Sequence, residues 1–259
     1  MAKTEGPGRA DIQAVSRASR ILGLFHVDRS ELVTADVAIE LGLNRTTTHR
    51  YLTSMASIGL LGPGSRLSSY VVGPLATKLG AIATNSAEVL SVAPRHMAAL
   101  SDELGATLVL SLWASTGPMV VHVAEPRTPN AVLTIRTGTV LALSTAQGVV
   151  FTAFLPPGSS HLDQRRERLA PAARDAFDAE VEKAREECLS VSVRREHGVV
   201  TVAAPVFDGE GLCATVAVVG LVGSTLDTVT PERSRRIREL AALLTEELGG
   251  RVPEATRRP

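Results

Sequence analysis

Cysteine is nearly absent from this 259-residue chain, which holds only Cys188 and Cys213. Two thiols exclude a disulfide framework in a chain of this length and fit a reducing, cytoplasmic compartment. Long hydrophobic runs are missing too: no stretch approaches the roughly eighteen apolar residues that span a bilayer. The opening MAKTEGPGRAD lacks the apolar core of a secretory signal, so a cytoplasmic protein without membrane attachment is expected. Net charge is zero, with 27 basic residues against 27 acidic ones. Motifs of catalysis are also wanting. There is no His-Glu-x-x-His or Cys-x-x-Cys metal spacing, no Gly-x-Ser-x-Gly elbow and no P-loop. His26, His49, His96, His122, His161 and His197 are scattered, and no metal or cofactor is expected.

What is present is a local asymmetry of charge. From Leu41 to Ala87 no Asp or Glu occurs, while Arg45, Arg50, Arg66 and Lys78 all fall there. An acid-free basic window inside a neutral chain is an electrostatic footprint of nucleic-acid binding. Residues 175–187, DAFDAEVEKAREE, carry a net negative charge by contrast.

The same window has a recognisable order of elements. Ile12, Val15, Ala18, Ile21, Leu22 and Phe25 recur at helical spacing. Thr34 is placed to cap a short helix, ADVAIEL, which Gly42 ends. Asn44 then caps a third helix, with Thr48, Leu52 and Met55 facing inward beside Tyr51. Two short strands around a Gly-Pro-Gly-Ser loop follow. Helix, helix, tight turn, helix and hairpin make a winged helix-turn-helix.

The third helix opens on Thr46-Thr47-Thr48, a choice that costs about 0.6 kcal/mol of helix propensity per residue relative to alanine. Contact explains it: a threonine hydroxyl reaches phosphates or base edges, and its methyl meets a thymine methyl. Arg45 and Arg50 supply charge, and arginine binds guanine bidentately. Arg66, beyond the Gly-Pro-Gly loop, is placed to reach the backbone or minor groove. Asn44, Arg45, Thr46, Thr47, His49, Arg50, Thr53 and Arg66 therefore form the candidate DNA-binding set, and the expected partner is a double-stranded DNA operator.

Beyond a helical connector from Pro74, strand-like runs cover 107–113, 119–124, 131–136, 198–207 and 213–222. Helix-like runs cover 91–104, 145–154, 173–188 and 231–248, the last with Thr230 as cap and Pro231 at its first position. Phe207 to Leu212 is a hairpin turn signal. This mixture predicts an α+β fold in which helices cover an antiparallel sheet. Ser144 with Gln147 three residues on fits a capping box, leaving a helix amino end with free amides, a site for a carboxylate. Cys188 continues the apolar stripe Phe177, Val181, Ala184 and reads as core, as does Cys213 on its strand.

The stretches AVSRASRILGLF, LNRTTTHRYLTSMASIGLL and YVVGP, with Leu79-Gly80, resemble the DNA-binding half of the IclR family of bacterial transcriptional regulators. GVVTVAAPVFDGEG and STAQGVVFTAFL are similar to segments of that family's second half, in the same order. The resemblance runs from about residue 11 to 248. It implies a winged helix-turn-helix at 11–73, a linker helix at 74–95 and a GAF-like effector-binding domain at 96–248, between a disordered tail at 1–10 and a C-terminal tail at 249–259. It also implies assembly as a homodimer or tetramer. Family positions carried over place Val132, Val140, Thr145, Ala146, Gln147, Gly148, Val199, Thr201, Ala217 and Val219 at the effector pocket. Some relatives bind small polar acids with Ser, Cys or Asp at the later positions, where this chain has mainly Val and Ala. A larger, partly apolar carboxylic acid is therefore the expected effector. The chain departs from the family at Val149, where lysine is common, and at Leu221, where many have proline.

The alternative function class is a small-molecule enzyme with an accessory N-terminal helical domain. Its densest ionisable cluster would be Glu196-His197 beside Arg194 and Arg195, which also reads as a solvated charge run. A ligand-responsive DNA-binding regulator is the function expected from the sequence.

Overall fold

The computed structural model describes residues 12–114, 117–128, 134–156, 162, 166, 170–194, 198–222 and 230–253, the side chains of 85 and 86 excepted. The expected tail at 1–10, Val132, the Glu196-His197 pair and the chain from 254 lie outside these residues. The protein divides into two compact units, Met1–Thr84 and Asn85–Pro259.

In the first unit the order is α1 (Gln13–Leu22), β1 (Glu31–Val33), α2 (Thr34–Leu41), α3 (Arg45–Ser57), β2 (Leu61–Pro63), β3 (Ser69–Val72) and α4 (Pro74–Ser86). Ile21, Leu24, Leu32, Val37, Leu52, Met55 and Leu61 form one core, with Tyr51 and Tyr70 packed against it. Burying a leucine such as Leu52, fully enclosed here, contributes roughly 1.5–3 kcal/mol. Gly42 ends α2 in the left-handed conformation (φ 63°), which glycine adopts without a Cβ clash. Asn44 caps α3 as expected, its Oδ1 accepting from Thr46 N at 2.8 Å.

Two local expectations are corrected in this unit. Thr34 does not cap α2: it is the first helical residue, and its Oγ1 donates to Ser68 O at 2.9 Å. The residues just before it form β1, a strand the sequence does not announce, which pairs with β3 and makes a three-stranded sheet in the order β1-β3-β2. The apolar stripe of α1 is buried at its carboxyl end, at Ile21, and left open at its amino end, while that of α4 stays open. Ile12 and Val15 are 66% and 63% exposed, and Leu79 and Ile82 are 52% and 51% exposed.

The second unit contains α5 (Val89–Leu104), β4 (Thr107–Ala114), β5 (Gly117–Ala124), α6 (Ala146–Phe154), α7 (Pro171–Glu187), β6 (Ser190–Arg194), β7 (Val199–Asp208), β8 (Gly211–Leu221) and α8 (Pro231–Glu247). Its five strands are antiparallel, in the order β5-β4-β8-β7-β6. Strand alternation sorts the side chains into two faces. Leu108, Leu110, Val202, Ala204, Val216 and Val218 pack on one face with Met97 and Leu100 of α5 and Ile237, Leu240 and Leu244 of α8. On the other face Ala203 and Ala217 meet Ala146 and Val150 of α6, which α7 covers through Phe177, Val181 and Ala184. The result is a mixed α+β arrangement with an antiparallel sheet between helices.

Here too the structure differs from the sequence reading in places. Helix is not continuous over the linker expected at 74–95, because Ala87 and Glu88 separate α4 from α5. Residues 134–136 carry no strand. The chain reaches β5 later, through a turn at Gly138, where Val120 N bonds Thr139 O and Val140 bridges Met119. Cys188 leaves the helical stripe and sits beyond α7 with φ 47°.

Candidate nucleic-acid interface and effector site

The α3 helix presents two chemically distinct sides. Thr48, Leu52 and Met55, at helical spacing, are buried. Arg45, Thr46, His49, Arg50 and Thr53 are exposed and Thr47 half-buried, with no acidic side chain among them. Thr48 Oγ1 turns back to Asn44 O at 3.1 Å, so the third threonine serves the helix rather than its outer surface. Asn44 is exposed, but its side-chain oxygen is engaged in the cap. Thr53 Oγ1 lies 3.5 Å from His49 Nε2 and 3.3 Å from Tyr70 OH, which ties the exposed side of α3 to strand β3. Arg66 is exposed on the loop between β2 and β3.

Two residues absent from the sequence-derived set join this surface. An open cleft of about 810 Å³ runs along α3, and Arg17 of α1 lines it together with Thr47, His49, Arg50 and Thr53. Arg17 lies outside the acid-free window, so charge patterning could not reveal it. Tyr70 had no signal beyond its place on a short strand. The assembled surface offers guanidinium groups, hydroxyls and an imidazole along one helix, the donor set that reads phosphates and base edges.

In the second unit, α6 begins one residue later than the capping box predicted. Thr145 is the N-cap, accepting from Gly148 N at 3.2 Å, while Ser144 Oγ takes a hydrogen bond from Arg194. Gln147 does not reach back to the cap. It is 2% exposed; Ser111 Oγ donates to its Oε1 at 2.6 Å, and its Nε2 donates to Val109 O at 3.3 Å. Ala146 and Ala217 are fully buried between α6 and the sheet. Thr201 and Val219 are paired neighbours across β7 and β8, and Val199 and Val219 belong to an apolar group with Val109, Val120, Ile135 and Leu141. Val140 is 45% exposed. Arg194 ends strand β6 rather than lying in a solvated charge run, and the pairing of β6 with β7 brings it to the α6 amino end.

The thiols lie apart from both regions. Burial pushes the Cys213 thiol up to about 12, and Cys188 is raised by the same cause. Among the described residues no helix is long and apolar enough to cross a membrane.

Comparison with known proteins agrees with this architecture over both units. Residues 14–63 match the IclR helix-turn-helix domain, and residues 81–245 match the bacterial transcriptional regulator IclR C-terminal domain. The chain is 26% identical over 220 residues to the DNA-binding transcriptional repressor YiaJ of Escherichia coli K12, covering 80% of this chain and 78% of the repressor. An IclR-type protein from Silicibacter sp. TM1040 has the same fold, with a TM-score of 0.80 at 24% identity, over 95% of this chain and all of that one. So does an IclR homologue from Microbacterium hydrocarbonoxydans crystallised with 4-hydroxybenzoate, with a TM-score of 0.70 at 17% identity, over 91% of this chain and 98% of that one. These families and relatives are transcriptional regulators, not enzymes. The chain belongs to the IclR family and is a DNA-binding transcriptional regulator with an N-terminal helix-turn-helix domain and a C-terminal effector-binding domain.

Proposed function

We propose that this regulator controls a bacterial metabolic operon from the cytoplasm, with α3 lying in a major groove and Arg66 on the adjacent backbone or minor groove. The observation that carries this is the acid-free outer side of α3, where Arg45, Thr46, His49, Arg50 and Thr53 are exposed together. The molecule works as a homodimer or tetramer. The exposed apolar residues Leu79 and Ile82 of α4 support a self-association face on the connecting segment. A symmetric dimer reads two successive major grooves when its recognition helices stand about 34 Å apart.

The effector is a partly apolar carboxylic acid, aromatic or branched. Its acid group meets the amino end of α6 around 145–148, where backbone amides and the helix dipole favour an anion. Arg194, bonded to Ser144, adds positive charge beside that end. The apolar part lies against Val199, Thr201 and Val219, and the 4-hydroxybenzoate-bound homologue supports this class. Effector binding then shifts the balance between two spacings of the recognition helices, to the extent that it favours one of them. Footprinting on DNA upstream of the protein's own gene, with and without metabolites, tests the regulatory half. Calorimetric titration of an aromatic-acid panel against glyoxylate and pyruvate tests the effector class, and preference for the latter pair overturns it.

A further inference from the structure

The loop carrying Arg66 is wrapped around a carboxylate from outside the DNA-facing side of α3. Glu31, at the start of β1, pairs with Val71 of β3. Its Oε1 accepts from Ser65 N at 2.7 Å and Arg66 N at 3.2 Å, and its Oε2 accepts from Ser65 Oγ at 2.8 Å. The Ser69 hydroxyl also donates to Oε1. From the other side, Thr34 N and Oγ1 both donate to Ser68 O, at 3.0 and 2.9 Å. Ser68 is held at φ 58°, a conformation uncommon for a residue with a side chain. Gly64 completes the wrap, since a Cβ there would run into Ser69 Oγ and Glu31 Oε1. The corner Glu31–Thr34 thus grips the amide side and the carbonyl side of residues 64–69, and Arg66 and Leu67 protrude. The hydroxyl and amide donors hold the carboxyl down to about 2, so it stays ionised in any ordinary buffer.

We infer that Glu31 is a positioning residue for DNA binding, whose carboxylate pre-forms the wing so that Arg66 meets the duplex on an already ordered backbone. The inference rests on Arg66 being a DNA contact. Simple electrostatics predicts the opposite sign: a negative charge near the interface repels phosphate, so its removal alone tightens binding. If the wing must instead be ordered on binding, Glu31→Ala weakens affinity about three- to tenfold.

The test measures fluorescence anisotropy of the full-length protein on a duplex enriched from a random-sequence pool by the unmodified protein. Glu31→Ala, Glu31→Gln, Arg66→Ala and the Glu31→Ala/Arg66→Ala pair are compared, with circular dichroism melting to establish that each is folded. Glu31→Ala is expected to bind more weakly, and Glu31→Gln also, because an amide brings donors where the loop already donates. In the Arg66→Ala background, Glu31→Ala should add no further loss. Unchanged or tighter binding by either Glu31 variant overturns the inference, as does an equal loss with and without Arg66. Arg66→Ala binding at full strength instead removes the arginine contact on which the inference rests.

Discussion

Replacing Gln147 with alanine tests whether this buried amide holds α6 to the sheet. Its side chain is 2% exposed, and the Ser111 hydroxyl that donates to it is fully buried. Alanine strands that hydroxyl without its acceptor, a penalty of about 1–3 kcal/mol. The methylene lost from packing adds about 0.8 kcal/mol. The sum, about 2–4 kcal/mol, lowers the melting point of a unit this size by about 5–15 °C. Gln147→Leu together with Ser111→Ala removes both members of the hydroxyl–amide pair and retains bulk, and its stability should lie within about 1 kcal/mol of the parent. Trp113, the chain's single tryptophan, packs on Phe151 of α6 at a centroid distance of 5.4 Å and reports on this unit alone. Thermal unfolding followed by its fluorescence measures both variants. Parent-like melting of Gln147→Ala, or a double variant that melts as low as the single one, refutes the reasoning.

Arg50→Ala is expected to weaken operator binding without changing effector affinity. If the guanidinium touches only phosphate, the salt dependence of binding falls by about one unit of slope, read from affinities over a salt series. Leu52→Ala should destabilise the first unit by about 2–5 kcal/mol and abolish DNA binding, while the Trp113-reported transition stays where it was; a shift in that transition contradicts the division into units. Glu31 is depressed from 4.5 to about 2, so its contribution to wing order is complete above about 4.5 and is lost as pH falls through 2. Carbon NMR of the Glu31 carboxyl, assigned with Glu31→Gln, should place its titration near that lower value. Cys213 and Cys188, both raised by burial, should react slowly with iodoacetamide at neutral pH in the folded protein and rapidly in denaturant.

The DNA-binding half was largely legible in the sequence because its determinants are local. Asn44, Thr48, Leu52 and Met55 sit where spacing put them, since a cap and a helical stripe are set by neighbours a turn away. Strand β1 is not legible in the sequence because three residues carry no measurable alternation, and its pairing with β3 is a tertiary fact. The same holds for Glu31 and Arg17, whose surroundings are set by elements distant in the chain. At α6 the sequence located the helix amino end but not the fate of Gln147. Two residue types satisfy a capping box equally well, and only the approach of Ser111 on β4 decides which bond forms. Arg194 reached that end through sheet pairing, for which composition gives no cue.

The strand order has a consequence for biosynthesis. Leu108 of β4 pairs with Val218 of β8, while β5, next in the chain, pairs with β4 on its other side and forms the sheet edge. Closing that central ladder brings together segments widely separated along the polypeptide, a slow step for a folding chain. On the ribosome the DNA-reading unit is complete long before the sensor's middle strand emerges, so a nascent or prematurely ended product exposes a helix-turn-helix with no working sensor attached.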